Sequence, residues 1–211
     1  SFKNAIIKNV AMTSVNVSNL DFTGANLDGS FFFGKNNLSG TILIGASMKD
    51  VKLDSAILES AILTDANLAR ISLKNSMAES ADFDNAIFWE MTKPYETADL
   101  SYAELSGATF RGADLRGAIF INADLDTAAF HNADLTGATF QGADLSNARF
   151  TGAKLERVDF GVEDINWMGV RLKDANLFGA TNVDIDILKK YTYLCKTKLP
   201  DGTIANPTCT Q

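Results

Sequence analysis

Apolar residues recur at every fifth position along this chain, a period that neither an α-helix nor an ordinary strand produces. From Ala98 the text runs ADLSY AELSG ATFRG ADLRG AIFIN ADLDT AAFHN ADLTG ATFQG ADLSN ARFTG AKLER VDFGV. The third position of each unit is Leu or Phe from Leu100 to Phe160, and the first is almost always Ala. Each unit therefore alternates for only three residues before it turns polar. The pattern predicts a short extended side followed by a tight corner, and Gly107, Gly112, Gly117, Gly137, Gly142 and Gly152 at the fifth position suit that corner. Four sides close a square coil of about 20 residues, and coils stack at about 4.8 Å, the spacing of hydrogen-bonded strands.

The large residues support the square. From Leu105 the centres alternate Leu and Phe, so residues a full coil apart fall in like columns: Phe110, Phe130, Phe150 in one and Phe120, Phe140, Phe160 in another. Earlier centres fall at Phe2, Ile7, Met12, Val17, Phe22 and Leu27, and then from Leu38 to Phe83 in a shifted phase counted from Phe33. The shift predicts a one-residue bulge at Asp28 to Phe32. Two larger breaks interrupt the period. The first, Trp89 to Thr97, contains Pro94, which disfavours a ladder strand. It predicts a protruding loop, with Trp89, Glu90, Pro94 and Tyr95 as candidate partner contacts. The second, Gly161 to Trp167, carries Glu163 and Asp164 and predicts a bulge with Trp167 partly exposed, because an indole is large for this interior.

Beyond Ala180 the period stops. Val183 to Leu194 predicts a helix, with Ile185, Leu188 and Tyr191 on one face and Asp184 and Asp186 near its start. Such a helix would cover the last coil, whose core and strand edge are otherwise open. The chain thus divides into a repeat region, 1–182, and a helix with a tail, 183–211. The start, Ser1 rather than Met, reads as a processed, tagged or trimmed end. Its open first coil suggests either a missing upstream segment or end-to-end association with another copy. Cys195 and Cys209 flank the turn sequence PDGT. A disulfide, free thiols and a metal are the alternatives; position favours the bridge, and two Cys with one remote His cannot fill a tetrahedral zinc site. A bridge implies an oxidising compartment.

Charge and chemistry narrow the function. The net charge is −7, concentrated in residues 95–182, where 13 acidic residues face 7 basic ones. That argues against direct nucleic-acid binding, which needs a basic face. No apolar run is long enough for a membrane helix. The single histidine, His131, falls at an outward fourth position, so catalytic pairing finds little support. The acidic columns Glu104, Asp124, Asp144 and Asp114, Asp134 occupy a repeat position and are expected to cap turns. No catalytic residue, cofactor or metal set is expected.

The A(D/N)LxG units resemble those of the pentapeptide-repeat proteins over roughly residues 2 to 180. The resemblance implies an all-β, right-handed quadrilateral β-helix, here of about eight to nine coils with a short C-terminal helical cap. It implies a non-enzymatic structural or protein-interaction module with an unknown protein partner. The helix and the Cys-bounded PDGT tail resemble exported cyanobacterial and chloroplast-lumen members, which points to periplasm or thylakoid lumen rather than cytoplasm. The alternative is a DNA-mimicking inhibitor or protector of a type II topoisomerase (DNA gyrase).

Overall fold

A computed structural model describes every residue except Pro94, Tyr95, Glu163, Asp164, Pro207, Thr210 and Gln211. The chain winds so that parallel bridges link residues one coil apart, and these bridges fall into four series. The first wall runs Ile6, Asn26, Ser47, Asn67, Ile87, Asp114, Asp134, Lys154, Asn176, Lys198. The second runs from Ala11 and Phe31 through Lys52, Ser72, Asp99, Ile119 and Thr139 to Asp159 and Thr181. The third runs Asn16, Asn37, Ile57, Met77, Glu104, Asp124, Asp144, Asn166, and the fourth runs from Asp21 through Ile42, Ile62, Asp82, Thr109, Ala129, Arg149 and Arg171 to Tyr193.

The unit Ala123 to Thr127 shows why five residues suffice. Ala123 N–H donates back to Phe120 O and closes the corner. Asp124 N–H reaches Ala103 O in the coil below, while Leu125 and Thr127 N–H reach Asp144 O and Ser146 O in the coil above. The remaining donor, Asp126 N–H, goes to Asp124 Oδ1 at 3.0 Å. All five donors are satisfied, as buried or half-buried backbone requires. The second-position Asp or Asn thus caps the corner as the sequence predicts, and the same bond recurs at Asp99, Asp134, Asp144 and Asn176. The fifth residue is left-handed in every such corner, the mark of a type II turn. Many of these positions are Asn, Ser or Thr rather than Gly, Asn tolerating this region best. Where Asn132 takes it, its side chain fills the space under Gly152, so a Cβ at Gly152 would lie 2.3 Å from Asn132 Oδ1.

Regular strand is scarce. In the walls only β1 (Ala11–Thr13) and β2 (Phe31–Phe33) form a paired strand, and elsewhere each side contributes one bridged residue. A five-residue side spends two residues on the corner and leaves only its middle residue with bonded neighbours on both sides. The phase shift lies later than expected. Phe32, not Phe33, is the inward centre, Phe33 being 57% exposed, and the extra residue sits between Phe33 and Asn37. Asn36 turns inward there, accepting from Val15 N–H and donating to Phe33 O and Gly34 O.

Ala and Leu or Phe fill the interior. Phe83, Phe110, Phe130 and Phe150 stack on the fourth wall at 4.9 Å centroid spacing, and Phe120 stacks on Phe140 on the second. Rings of the two stacks meet edge-on at about 6 Å, a favoured aromatic geometry. Trp167 corrects the sequence reading: it is 7% exposed, points inward on the third wall and lies 4.8 Å from Phe160. Among the described residues no bridge sits above Asn166 on that wall, so the indole need not fit beneath another coil. In place of that coil stands α1 (Ile185–Tyr191), shorter than the predicted helix, N-capped by Asp184 and burying Leu188. The chain then rejoins the walls at Tyr193 and Lys198. It ends in an antiparallel pair, β3 (Thr197–Lys198) with β4 (Ile204–Ala205).

Ala78 is the one alanine among the third-wall centres, and Phe88, half a coil later on the opposite first wall, is that wall's one phenylalanine. Both are buried, so the large ring offsets the small side chain across the core. Phe88→Leu is expected to cost about 1–3 kcal/mol through the cavity it leaves, and Ala78→Leu a similar amount through overpacking. The double variant should recover much of either loss, read as a positive coupling in chemical denaturation. Strict additivity would refute the pairing.

Candidate functional site

The start of the first break is held to the wall. Asp50, Arg70 and Glu90 occupy successive coils at the corner between the first and second walls. Arg70, its side chain 8% exposed, donates from Nε and Nη2 to the two oxygens of Asp50 at 2.7 Å each and from Nη1 to Glu90. Lys49 approaches Glu90 at 3.6 Å, and Lys93 pairs with Glu96 at 2.8 Å. The guanidinium holds the carboxyls of Asp50 and Glu90 below the ordinary carboxylate range. Trp89 lies under the Arg116 guanidinium, 3.8 Å from its ring centroid, and Arg116 is held in turn by a bidentate bond to Asp114. Of the four candidate contacts, Trp89 and Glu90 are thus half-buried and anchor the segment, while Pro94 and Tyr95 lie outside the described residues. Among the described residues of the segment, Met91 is the large apolar side chain exposed, at 77%.

The walls differ in charge. On the third wall and the corner that follows it, Glu59, Glu79, Glu104, Asp124, Asp126 and Asp144 line up over five coils. Neither Lys nor Arg occupies an outward position on that wall from Asn16 to Met168, and none of the six carboxylates has an ion-pair partner among the described residues. On the first wall, by contrast, Asp114 and Asp134 are neutralised by Arg116 and Lys154. Glu104, Asp124 and Asp144 were legible as a column; Glu59 and Glu79 join it only once the seven extra residues of the first break are counted. Arg70 had a signal that the sequence reading passed over, since Asp50, Arg70 and Glu90 are spaced by the coil period.

His131 departs from the expected exposed position. It is half-buried, its Nδ1 is enclosed without a hydrogen-bond partner, and burial together with Arg111 and Arg149 holds its pKa below the ordinary value. It sits on the fourth wall, away from the acidic stripe. Cys195 and Cys209 form a disulfide that closes the tail. At the opposite end Phe2, Ile7, Met12, Val17, Phe22 and Leu27 border an apolar cavity of about 240 Å³. Among the described residues no helix is long and apolar enough to cross a membrane.

Comparison with known proteins agrees with the coil. The family model for pentapeptide repeats matches residues 37–68, 58–89, 98–132 and 128–161, in eight copies. Among solved structures the chain is similar to HetL, a pentapeptide repeat protein involved in heterocyst differentiation regulation from the cyanobacterium Nostoc sp. strain PCC 7120, at 27% identity over 97% of this chain and 93% of that one, with a TM-score of 0.38. It is similar to full-length QnrB1, a plasmid-mediated fluoroquinolone resistance protein, at 20% identity over 93% and 94%, TM-score 0.49. A third similar structure is a pentapeptide repeat protein from the Arabidopsis thaliana thylakoid lumen, at 26% identity over 68% and 70%, TM-score 0.21. No curated protein matches.

Arg70→Met is expected to release the first break, because Asp50 and Glu90 would then lose the guanidinium that bridges them, leaving only the more distant Lys49 beside Glu90. Limited proteolysis at neutral pH should cut the variant between residues 89 and 97 well before the wild type. For the wild type, the tether is complete above the ordinary carboxylate range, about pH 4, and is lost as pH falls through the depressed values of Asp50 and Glu90. Equal cleavage rates at neutral pH would show that the tether does not hold the segment.

Proposed function

The chain belongs to the pentapeptide-repeat family, and from that premise we propose that it is a non-enzymatic interaction module whose acidic third wall docks a basic partner protein. Membership gives a right-handed β-helix, and we read the four walls as its quadrilateral form with about eight to nine coils, closed by α1 and the disulfide tail. The observation that carries the docking role is the run of six carboxylates on one wall with no cation among them. Such a face steers and orients a basic partner more than it adds raw affinity. Among the described residues the interior is packed mainly with Ala, Leu and Phe. The apolar cavity bordered by Phe2, Ile7, Met12, Val17, Phe22 and Leu27 would be a second place for contact, including end-to-end association. The tail disulfide supports export to an oxidising compartment, periplasm or thylakoid lumen.

The same carboxylates favour, as a second reading, mimicry of DNA toward a type II topoisomerase. Magnitude weighs against giving it first place. Six charges over four coil steps of about 4.8 Å amount to about one charge per 3 Å, against one per about 1.7 Å in duplex DNA.

Glu104→Gln, Asp124→Asn and Asp144→Asn in one chain would test the docking role without unfolding the coil. Asn keeps the side-chain acceptor, as Asn166 and Asn176 already show. Immobilised wild type should retain a basic protein from the native compartment at low salt, and the triple variant should lose it. Identical capture by both would refute the proposal. A supercoiling assay with micromolar protein that shows neither inhibition nor protection would remove the second reading. Denatured protein prepared without reductant should present no titratable thiol, and two titratable thiols would remove the support for export.

A further inference from the structure

The fourth wall carries Asp21, Asp82 and Asp84 on its earlier coils and cations on its later ones. From Thr109 onward its outward residues are Thr109 and Arg111, Ala129 and His131, Arg149 and Thr151, Arg171 and Lys173, then Tyr193. Arg111 has Asp84 at 3.5 Å. Arg149, Arg171 and Lys173 have no carboxylate partner among the described residues. Arg149 and Arg171 are bridged neighbours, and like charges directly opposed on a ladder destabilise it. In a chain of net charge −7, three cations without an ion pair thus gather at one place.

These cations border a defined depression. Thr151, Gly169, Arg171, Lys173, Lys190, Tyr191, Thr192 and Tyr193 line a groove of about 660 Å³ between the fourth wall and the end of α1. Three of the eight are cations and none is an acid. Lys190 lies 4.9 Å from the Tyr191 ring centroid. The main chain adds little: Gly169 N–H already donates to Tyr191 O, and Thr192 N–H to Leu188 O. Any anion here is held by side chains, with Thr151 and the two exposed tyrosines supplying hydroxyl donors. We propose that this groove binds a compact phosphate-bearing anion, with Arg171 and Lys173 as its principal ligands and Lys190 closing it from the helix side. Arg171 supplies the planar fork that matches phosphate oxygens, and the lysines supply point charge. Arg149, one coil below, adds to the field at the mouth. The site is independent of the third-wall reading, since it uses none of those residues and the opposite charge.

The experiment is a calorimetric titration of the full, oxidised chain with inorganic pyrophosphate at low ionic strength. Wild type is expected to bind saturably and to weaken with added salt. Arg171→Glu with Lys173→Glu should lower affinity by about tenfold or more. Lys35→Glu with Lys52→Glu, the same charge change elsewhere on the coil, should leave affinity within about twofold. Thermal melts by circular dichroism establish that each variant is folded, and Arg171→Gln with Lys173→Gln, which introduces no new charge, should also lose binding if the reversal variant unfolds. Absence of saturable binding by wild type would overturn the proposal. So would equal loss in the control pair, or binding of a single-stranded oligonucleotide without binding of pyrophosphate, which would make the wall an extended polyanion track.

Discussion

The fold depends on one constraint: a chain that turns every five residues must still find an acceptor for each backbone N–H. Main-chain carbonyls take four of the five, two in the coil above, one in the coil below and one across the corner. The fifth has no main-chain acceptor within the unit, and the second-position carboxylate or amide takes it where one is present. An unpaired buried donor costs about 1–3 kcal/mol. The recurrent Asp and Asn are therefore explained by the backbone before any chemistry is invoked. A row of stacked acids in this architecture is not by itself a catalytic arrangement.

The same constraint sets the core. Coil rise is set by the bridges, so ring spacing in the Phe stacks, 4.9 Å, follows from the backbone rather than from preferences of the rings. A side chain of unusual size cannot shift its neighbours along the axis and must be matched across it, as Phe88 matches Ala78. Only at the end does the restriction lift. Phe160 sits 5.7 Å from Phe140 rather than 4.9 Å, and Trp167 enters beside it because α1, not another coil, lies above.

The period, the inward residues and the Phe columns were legible in the sequence because each is a property of one unit repeated. What was not legible depends on how units superpose. The phase shift was placed early because Phe31, Phe32 and Phe33 are indistinguishable by hydrophobicity. Trp167 was judged by volume against a regular coil, and its coil has no regular one above it. His131 was assigned by its position in the unit, which fixes direction but not how closely Arg111 and Arg149 approach from adjacent coils. The first break was expected to protrude because seven extra residues must leave the wall; the Arg70 tether that folds its start back lies one and two coils away.

Outward positions are where one pentapeptide coil can differ from another, so function must be sought in how they segregate. The net charge of −7 suggests a uniformly acidic surface, and the walls show that it is not uniform. Charge on the first wall is neutralised locally by Arg116 and Lys154. Among the described residues the third wall keeps its acids without ion pairs, and on the later coils of the adjacent fourth wall Arg149, Arg171 and Lys173 have none either, whereas Arg111 is paired with Asp84. Neither side offers compensation to the other, because a corner separates the two rows and solvent screens what passes around it. Opposite charges that could have been interleaved for stability, as on the first wall, are instead held apart. That separation is invisible to any average over the chain.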